Sequence, residues 1–143
     1  MKMSTEDRLA LQELNYSYAY FIDSLEPDNW ANIFTPDGVL DESAFFPDAL
    51  FEGRDAIRAY GETIRGNVAM MVHLMTNHII RDLTPTTATA TSFALVETMR
   101  KNGERLRFHV KYEDEYLKIG DSWKIARKTL RKSFTHENVV GAE

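Results

Sequence analysis

The segment VHLMTNHII, residues 72–80, sets two histidines and an asparagine into a run that otherwise has the composition of a buried strand. An imidazole titrates near neutrality, so a histidine among apolar side chains is suited to moving protons as a general acid or base. Strand alternation sorts the polar groups. Met71, His73, Met75, Asn77 and Ile79 are expected on one face, and Val72, Leu74, Thr76, His78 and Ile80 on the other. His73 and Asn77 then share a face, with His78 across the sheet. One strand cannot aim His73 and His78 at a common ion, and no other His, Asp or Glu cluster has ligand spacing, so no metal is expected. Two readings compete for His73: a base in a pocket, or a core histidine satisfied by a backbone carbonyl.

Further groups could assist such a base. In STEDRLALQELNYSYAYFIDSLE, Leu11, Leu14, Tyr18, Phe21, Ile22 and Leu25 form one helical stripe. Tyr16, Tyr20 and Asp23 fall on roughly the opposite face, which is expected to meet the pocket. A phenol at Tyr16 or Tyr20 could donate to a substrate carbonyl or leaving oxygen. Tyr18 is read as core packing, and Asp23 either joins the pocket or ends the helix in solvent. Arg127 alternates with Trp123 and Ile125, so it either enters the pocket to attract an anionic group or pairs at the rim. Trp30, Phe34, Met71 and Met75 supply an apolar lining, with Asn77 and His109 as further substrate contacts. His109 stands among the charged Arg107, Lys111 and Glu113. No second pocket carboxylate stands out.

The elements that must position these residues follow from periodicity. Ser4 with Asp7 three residues later is a variant capping box opening the first helix. PDNWANIF reads as a second short helix, TPDG as a turn, VLDES as a strand, and RDAIRAYGETIRG as a third helix ending at Gly66. Strands follow: residues 69–83, TATATSFALVETM, an Asn102-Gly103 hairpin signal, RLRFHVKYEDEYLKI, and WKIARKTLRKSF after the turn GDS. Helices first and antiparallel strands after them is an α+β arrangement, with the helices covering one sheet face. At 143 residues the chain is expected to be one domain, 1–143, with residues 133–143, including His136, as a tail without a role. A net charge of −5 argues against nucleic acid or anionic membrane as partner. No run approaches the ~20 apolar residues of a membrane span, and the start of the chain lacks a signal-peptide apolar core. Zero cysteines exclude disulfides and thiolate chemistry and fit a cytoplasmic location.

The sequence of motifs YAYFIDSLEPDNWANIFTPDGVLD, FEGRDAI, a histidine-bearing strand and EYLKIGDSWKIARKTLR resembles the SnoaL-like branch of the NTF2-like superfamily. The likeness spans about residues 5–132 and is closest to the part of the branch with scytalone dehydratase and hexachlorocyclohexane dehydrochlorinase. It implies a curved antiparallel sheet wrapped with three helices into a cone around one deep pocket. In lyases of this branch an aspartate late in the first helix orients a histidine on the sheet, which acts as base. Asp23 in FIDS and His73 in VHLMTN match those positions, and the H-x-x-T-N spacing matches the dehydrochlorinase pattern. A sheet histidine is also catalytic in scytalone dehydratase-like proteins, although His109 has charged neighbours.

A carboxylate bonded to one imidazole nitrogen fixes the tautomer and stabilises the imidazolium formed at the other. The expected function is a cofactor-independent lyase or isomerase acting on a small, mostly apolar cyclic or hydroxylated molecule. His73 would be the base, Asp23 its orienter, and a tyrosine or Arg127 the stabiliser of developing charge. Polyketide ring closure, epoxide opening and a non-catalytic binding or assembly module are the alternatives. Apolar residues on both sides of NVAMMVHLMTNHII point to a homo-oligomer, a dimer first.

Overall fold

The computed structural model describes residues 4–133. The expected tail falls outside them except for Ser133. Three helices, α1 (Thr5–Asp23), α2 (Pro27–Asn32) and α3 (Arg54–Asn67), accompany six strands. These are β1 (Phe34–Asp41), β2 (Leu50–Glu52), β3 (Val68–Leu83), β4 (Thr87–Arg100), β5 (Arg105–Ile119) and β6 (Ser122–Lys132). They form one sheet in the order β2-β1-β6-β5-β4-β3. Only β1 with β6 runs parallel among the neighbouring pairs.

Helix α1 starts where the sequence places it. Ser4 Oγ accepts from the Asp7 amide at 3.0 Å, a cap worth about 1 kcal/mol. Asp7 in turn accepts from Trp123 Nε1 at 2.8 Å and Lys118 Nζ at 3.0 Å, which ties the helix start to the β5–β6 hairpin. These donors hold its carboxyl down to about 2. Leu11, Leu14, Tyr18 and Ile22 bury the stripe against the sheet. Helix α3 crosses α2 at Gly61, where an added Cβ would lie 2.9 Å from the Pro27 Cβ and 3.1 Å from the Trp30 ring. Only a residue without a side chain lets the helices approach so closely.

Three differences from the sequence reading matter for the site. TPDG does not reverse the chain; it is an irregular stretch within β1, between Phe34 and Val39. The short β2 was not anticipated, because its three residues carry too little pattern. The largest difference is in parity. Thr76 pairs with Phe93 and Ile79 with Thr91, so β3 carries one extra residue there, and Asn77 takes φ 52°. Such a bulge reverses which side chains face inward. His78 therefore lies on the same face as His73 rather than across the sheet, and Asn77 is exposed. Strand β6 does the same. Glu115 pairs with Arg127 and Tyr116 with Ile125, which leaves Ala126 over. Inward positions pass from Trp123 and Ile125 to Lys128 and Leu130, and Arg127 is turned away. Further register shifts at Val68/Met70 and Ile80/Asp82 add local twist to β3 and help curl this edge around the helices.

Candidate active site

The curled sheet and the helices form a cavity of about 640 Å³, within the range of small-molecule sites. Its wall is largely apolar: Ile22, Trp30, Phe45, Phe46, Met71 and Phe108 contribute. Tyr18, Glu42, Tyr60, His73, Thr98 and Tyr112 bring polar atoms to that wall, and Asn67, Arg100 and Asn102 line it as well.

Asp23 and His73 meet. The last residue of α1 reaches the strand fifty residues later, with Asp23 Oδ1 2.6 Å from His73 Nδ1. Asp23 Oδ2 accepts the His73 backbone N–H at 2.8 Å. One carboxylate thus fixes both the ring and the backbone that carries it. With Nδ1 engaged as donor, Nε2 is left as the acceptor of the neutral ring. The His73 side chain is 8% exposed and the Asp23 side chain 20%. Tyr18 stands edge-on to the imidazole, ring centroids 6.0 Å apart.

Other residues picked from the sequence lie elsewhere. Tyr16 and Tyr20 are 50% and 64% exposed, so the tyrosine face of α1 meets solvent and not the cavity. Tyr18, read as packing, is the tyrosine of that helix on the cavity wall, at 1% exposure. The reason is geometric: the stripe that packs on the sheet also roofs the space within it. Arg127, displaced by the β6 bulge, pairs with Asp41 at 3.0 Å. His109 pairs in register with Leu95, while its neighbours Phe108 and Val110 line the cavity. Trp30 and Met71 are on the wall; Phe34 and Met75 pack in or against the core behind it.

Sequence reading missed Glu42 and Tyr60. Glu42 follows Asp41 at the end of β1 and shares parity with the fully buried Leu40, a usable signal. Its carboxylate receives the Tyr60 hydroxyl at 2.7 Å, and burial pushes it up to about 7. The cavity therefore does have a second carboxylate. Tyr60 follows Ile57 by three residues and precedes Ile64 by four, a helical stripe. The Tyr112 hydroxyl and Trp30 indole nitrogen have no partner of normal hydrogen-bond geometry among the described residues, although both residues line the cavity. Burial raises the Tyr18 and Tyr112 hydroxyls well above their ordinary values, so both remain neutral donors.

Behind Tyr18 and Tyr112 lies a second polar cluster. Lys128 Nζ sits 4.5 and 4.3 Å from the two ring centroids and 2.8 Å from Asp114. Tyr116 donates to Asp114 at 2.7 Å and accepts from His78 Nε2 at 3.4 Å. Burial lowers the Lys128 ammonium, with Asp114 opposing the shift. Among the described residues, no three His, Asp or Glu side chains converge as metal ligands. No described helix is long and apolar enough to cross a membrane.

This combination of a curved, unclosed sheet and N-terminal helices defines a cone-shaped α+β fold of the NTF2-like type. The chain belongs to the SnoaL-like domain family, matched over residues 3–129. An uncharacterized protein of Mycobacterium tuberculosis is 26% identical over 130 residues, covering 90% of this chain and 86% of its own. A Novosphingobium aromaticivorans structure, provisionally assigned as an aromatic ring hydroxylase, is 25% identical with TM-score 0.89, covering 99% and 96% of the two chains. A second structure from that bacterium, provisionally assigned as a scytalone dehydratase, is 24% identical with TM-score 0.82 over 96% and 91%. Hexachlorocyclohexane dehydrochlorinase (LinA, type 2) shares 13% identity with TM-score 0.82 over 96% and 90%, a likeness of fold.

Proposed function

We propose that the protein is a cofactor-independent lyase of the elimination type, or an isomerase, acting on a small, mostly apolar ring. The observation that carries this reading is the Asp23–His73 pair, with His73 on the wall of a largely apolar cavity. His73 Nε2 removes a proton from carbon next to an activating group, and Asp23 stabilises the imidazolium that forms. Neutral donors at Tyr18 and Tyr112 on the same wall, in place of Tyr16, Tyr20 and Arg127, stabilise the developing oxyanion. The names of two structural relatives, one provisionally assigned as a scytalone dehydratase and the other a dehydrochlorinase, agree with elimination chemistry.

The test is a screen of hydroxylated, halogenated and polyketide-like rings, with His73→Ala as control. Undiminished turnover in that variant on any substrate found would defeat the base assignment.

We also propose that the chain works as a homodimer. Met70, Val72, Leu74 and Phe93 are each at least 40% exposed on the two adjacent strands β3 and β4, a surface suited to a second copy. Light scattering should give about twice the 16.5 kDa chain mass. A monomer at micromolar concentration contradicts it.

A further inference from the structure

We propose that Glu42 is the proton donor of this cavity, protonating a leaving hydroxyl while His73 takes the proton from the neighbouring carbon. The inference rests on the His73 reading and deepens it by specifying the leaving group.

The geometry is that of a held acid. The Glu42 amide donates to the Ala49 carbonyl at 2.8 Å, and its own carbonyl accepts from Phe45 and Phe46 at 2.9 and 3.1 Å. The side chain comes from beyond β1, while His73 is on β3 at the far edge of the sheet, so the two reach the cavity from separate walls. Adjacent Asp41 has a guanidinium, Arg127. Glu42 has a phenol instead, and Tyr60 itself is fixed by a parallel stack on Phe51 at 4.0 Å. Tyr60 donates to Oε2, so a proton on the carboxyl resides on Oε1. The residue is 8% exposed, and burial without a cation keeps it neutral up to about 7. Tyr18 from α1 and Tyr112 from β5 feel its charge, and Arg100 from β4 acts on Tyr60.

A carboxyl that can give a proton, on the same cavity as a base that can take one, selects a reaction. Chloride leaves unaided, whereas hydroxide is a poor leaving group until protonated. In a β-hydroxy ketone, His73 Nε2 takes the α-proton and the C–H electrons form the C=C bond. The C–O bond breaks and its oxygen takes the Glu42 proton, leaving as water. Glu42 ends as carboxylate and His73 as imidazolium, and proton exchange with solvent restores both.

The test uses a matched pair of probes: an indanone with hydroxyl at its β-carbon and the β-chloro counterpart, both yielding indenone. Glu42→Gln should lower kcat/KM for the hydroxy probe roughly 100-fold or more relative to the chloro probe. His73→Ala should impair both. Tyr60→Phe, a positioning change, should keep the donor but move the alkaline limb of the hydroxy-probe profile upward, since the phenol stabilises the carboxylate. Carboxyl-carbon NMR of glutamate-labelled protein, assigned with Glu42→Gln, should show one glutamate ionising near pH 7. Equal losses on both probes, or a Glu42 ionised throughout the neutral range, overturns the proposal. Failure of wild-type protein to turn over either probe counts against the His73 elimination reading instead. A Glu42 carboxyl found ionised throughout the neutral range overturns the proposal in that case too.

Discussion

Strand β3 carries two histidines five residues apart on one face, and their surroundings differ in a way that separates chemistry from architecture. His73 has one nitrogen on a carboxylate and stands on a cavity wall. His78 contacts Tyr116, whose hydroxyl is committed to Asp114, which is in turn closed by Lys128. Both sites combine imidazole, carboxylate and phenol. In the first, a ring nitrogen and the Tyr18 and Tyr112 side chains stand on the cavity wall. In the second, an ion pair with both side chains at 0% exposure is capped by aromatic rings and has no opening to the cavity. A polar network closed on itself specifies packing, whereas one left open on a cavity wall can act on a ligand.

The largest effect should come from the open side. His73→Ala removes the base and is expected to cost 10²–10⁴-fold in turnover, up to about 5.5 kcal/mol, with little change in ligand affinity. Asp23→Asn should fall in the same range, because an amide holds the wrong tautomer and does not stabilise an imidazolium. Steady-state kinetics with ligand-binding titration check both. His78→Gln, by contrast, should retain turnover within a few fold; a His78 variant as impaired as His73→Ala would erase the distinction.

Next comes the closed side. Lys128→Met leaves Asp114 buried without its cation and should destabilise the fold by about 3–5 kcal/mol. Replacing both, with Lys128→Met and Asp114→Leu together, should recover most of that loss. Urea denaturation of the two variants measures it. Equal losses for the single and double changes would mean that the pair contributes net stability of its own.

Glu42 gives a smaller, pH-dependent effect. Its folded value is raised from 4.5 to about 7, so the stability it contributes is fully present below 4.5 and lost as pH rises through 7. Glu42→Gln should match wild type near pH 4.5 and exceed it by about 3 kcal/mol above pH 7.5. The difference between the two denaturation midpoints across that window is the measurement. A constant difference would show that Glu42 ionises in the fold as it does in water.

Much of this arrangement is legible in the sequence, and the failures share a cause. Helical periodicity located α1 and α3 because each presents one buried stripe, and the Asn102-Gly103 turn set the β4–β5 register. Alternation located His73 because β3 is regular from Met70 to Thr76. It misplaced His78, Asn77 and Arg127, since a single extra residue reverses everything beyond it. Asn77, in the left-handed region, is a residue type that tolerates it, so a cue existed in β3. Ala126 offers none. Glu42 was legible from the parity of Leu40, but a lone glutamate at a strand end looks like a solvated one until the curl of the sheet encloses it.

The smallest effect belongs to the two tyrosines that helical periodicity set on the face of Asp23. Tyr16 and Tyr20 lie on the solvent face of α1, and Tyr16 accepts a side-chain hydrogen bond from Gln12 at 3.2 Å on the same helix. Tyr16→Phe and Tyr20→Phe remove a hydroxyl that water already satisfies, so stability should change by no more than about 0.5 kcal/mol. Turnover should not change measurably. Tyr18→Phe is the informative partner, since it keeps the ring over Lys128 and removes only a buried hydroxyl on the cavity wall. It should lower kcat with KM little altered if that hydroxyl meets the developing oxyanion, whose charge exists only in the transition state. A kinetic loss at Tyr20 larger than at Tyr18 would show that the solvent face of α1, and not its buried stripe, serves the reaction.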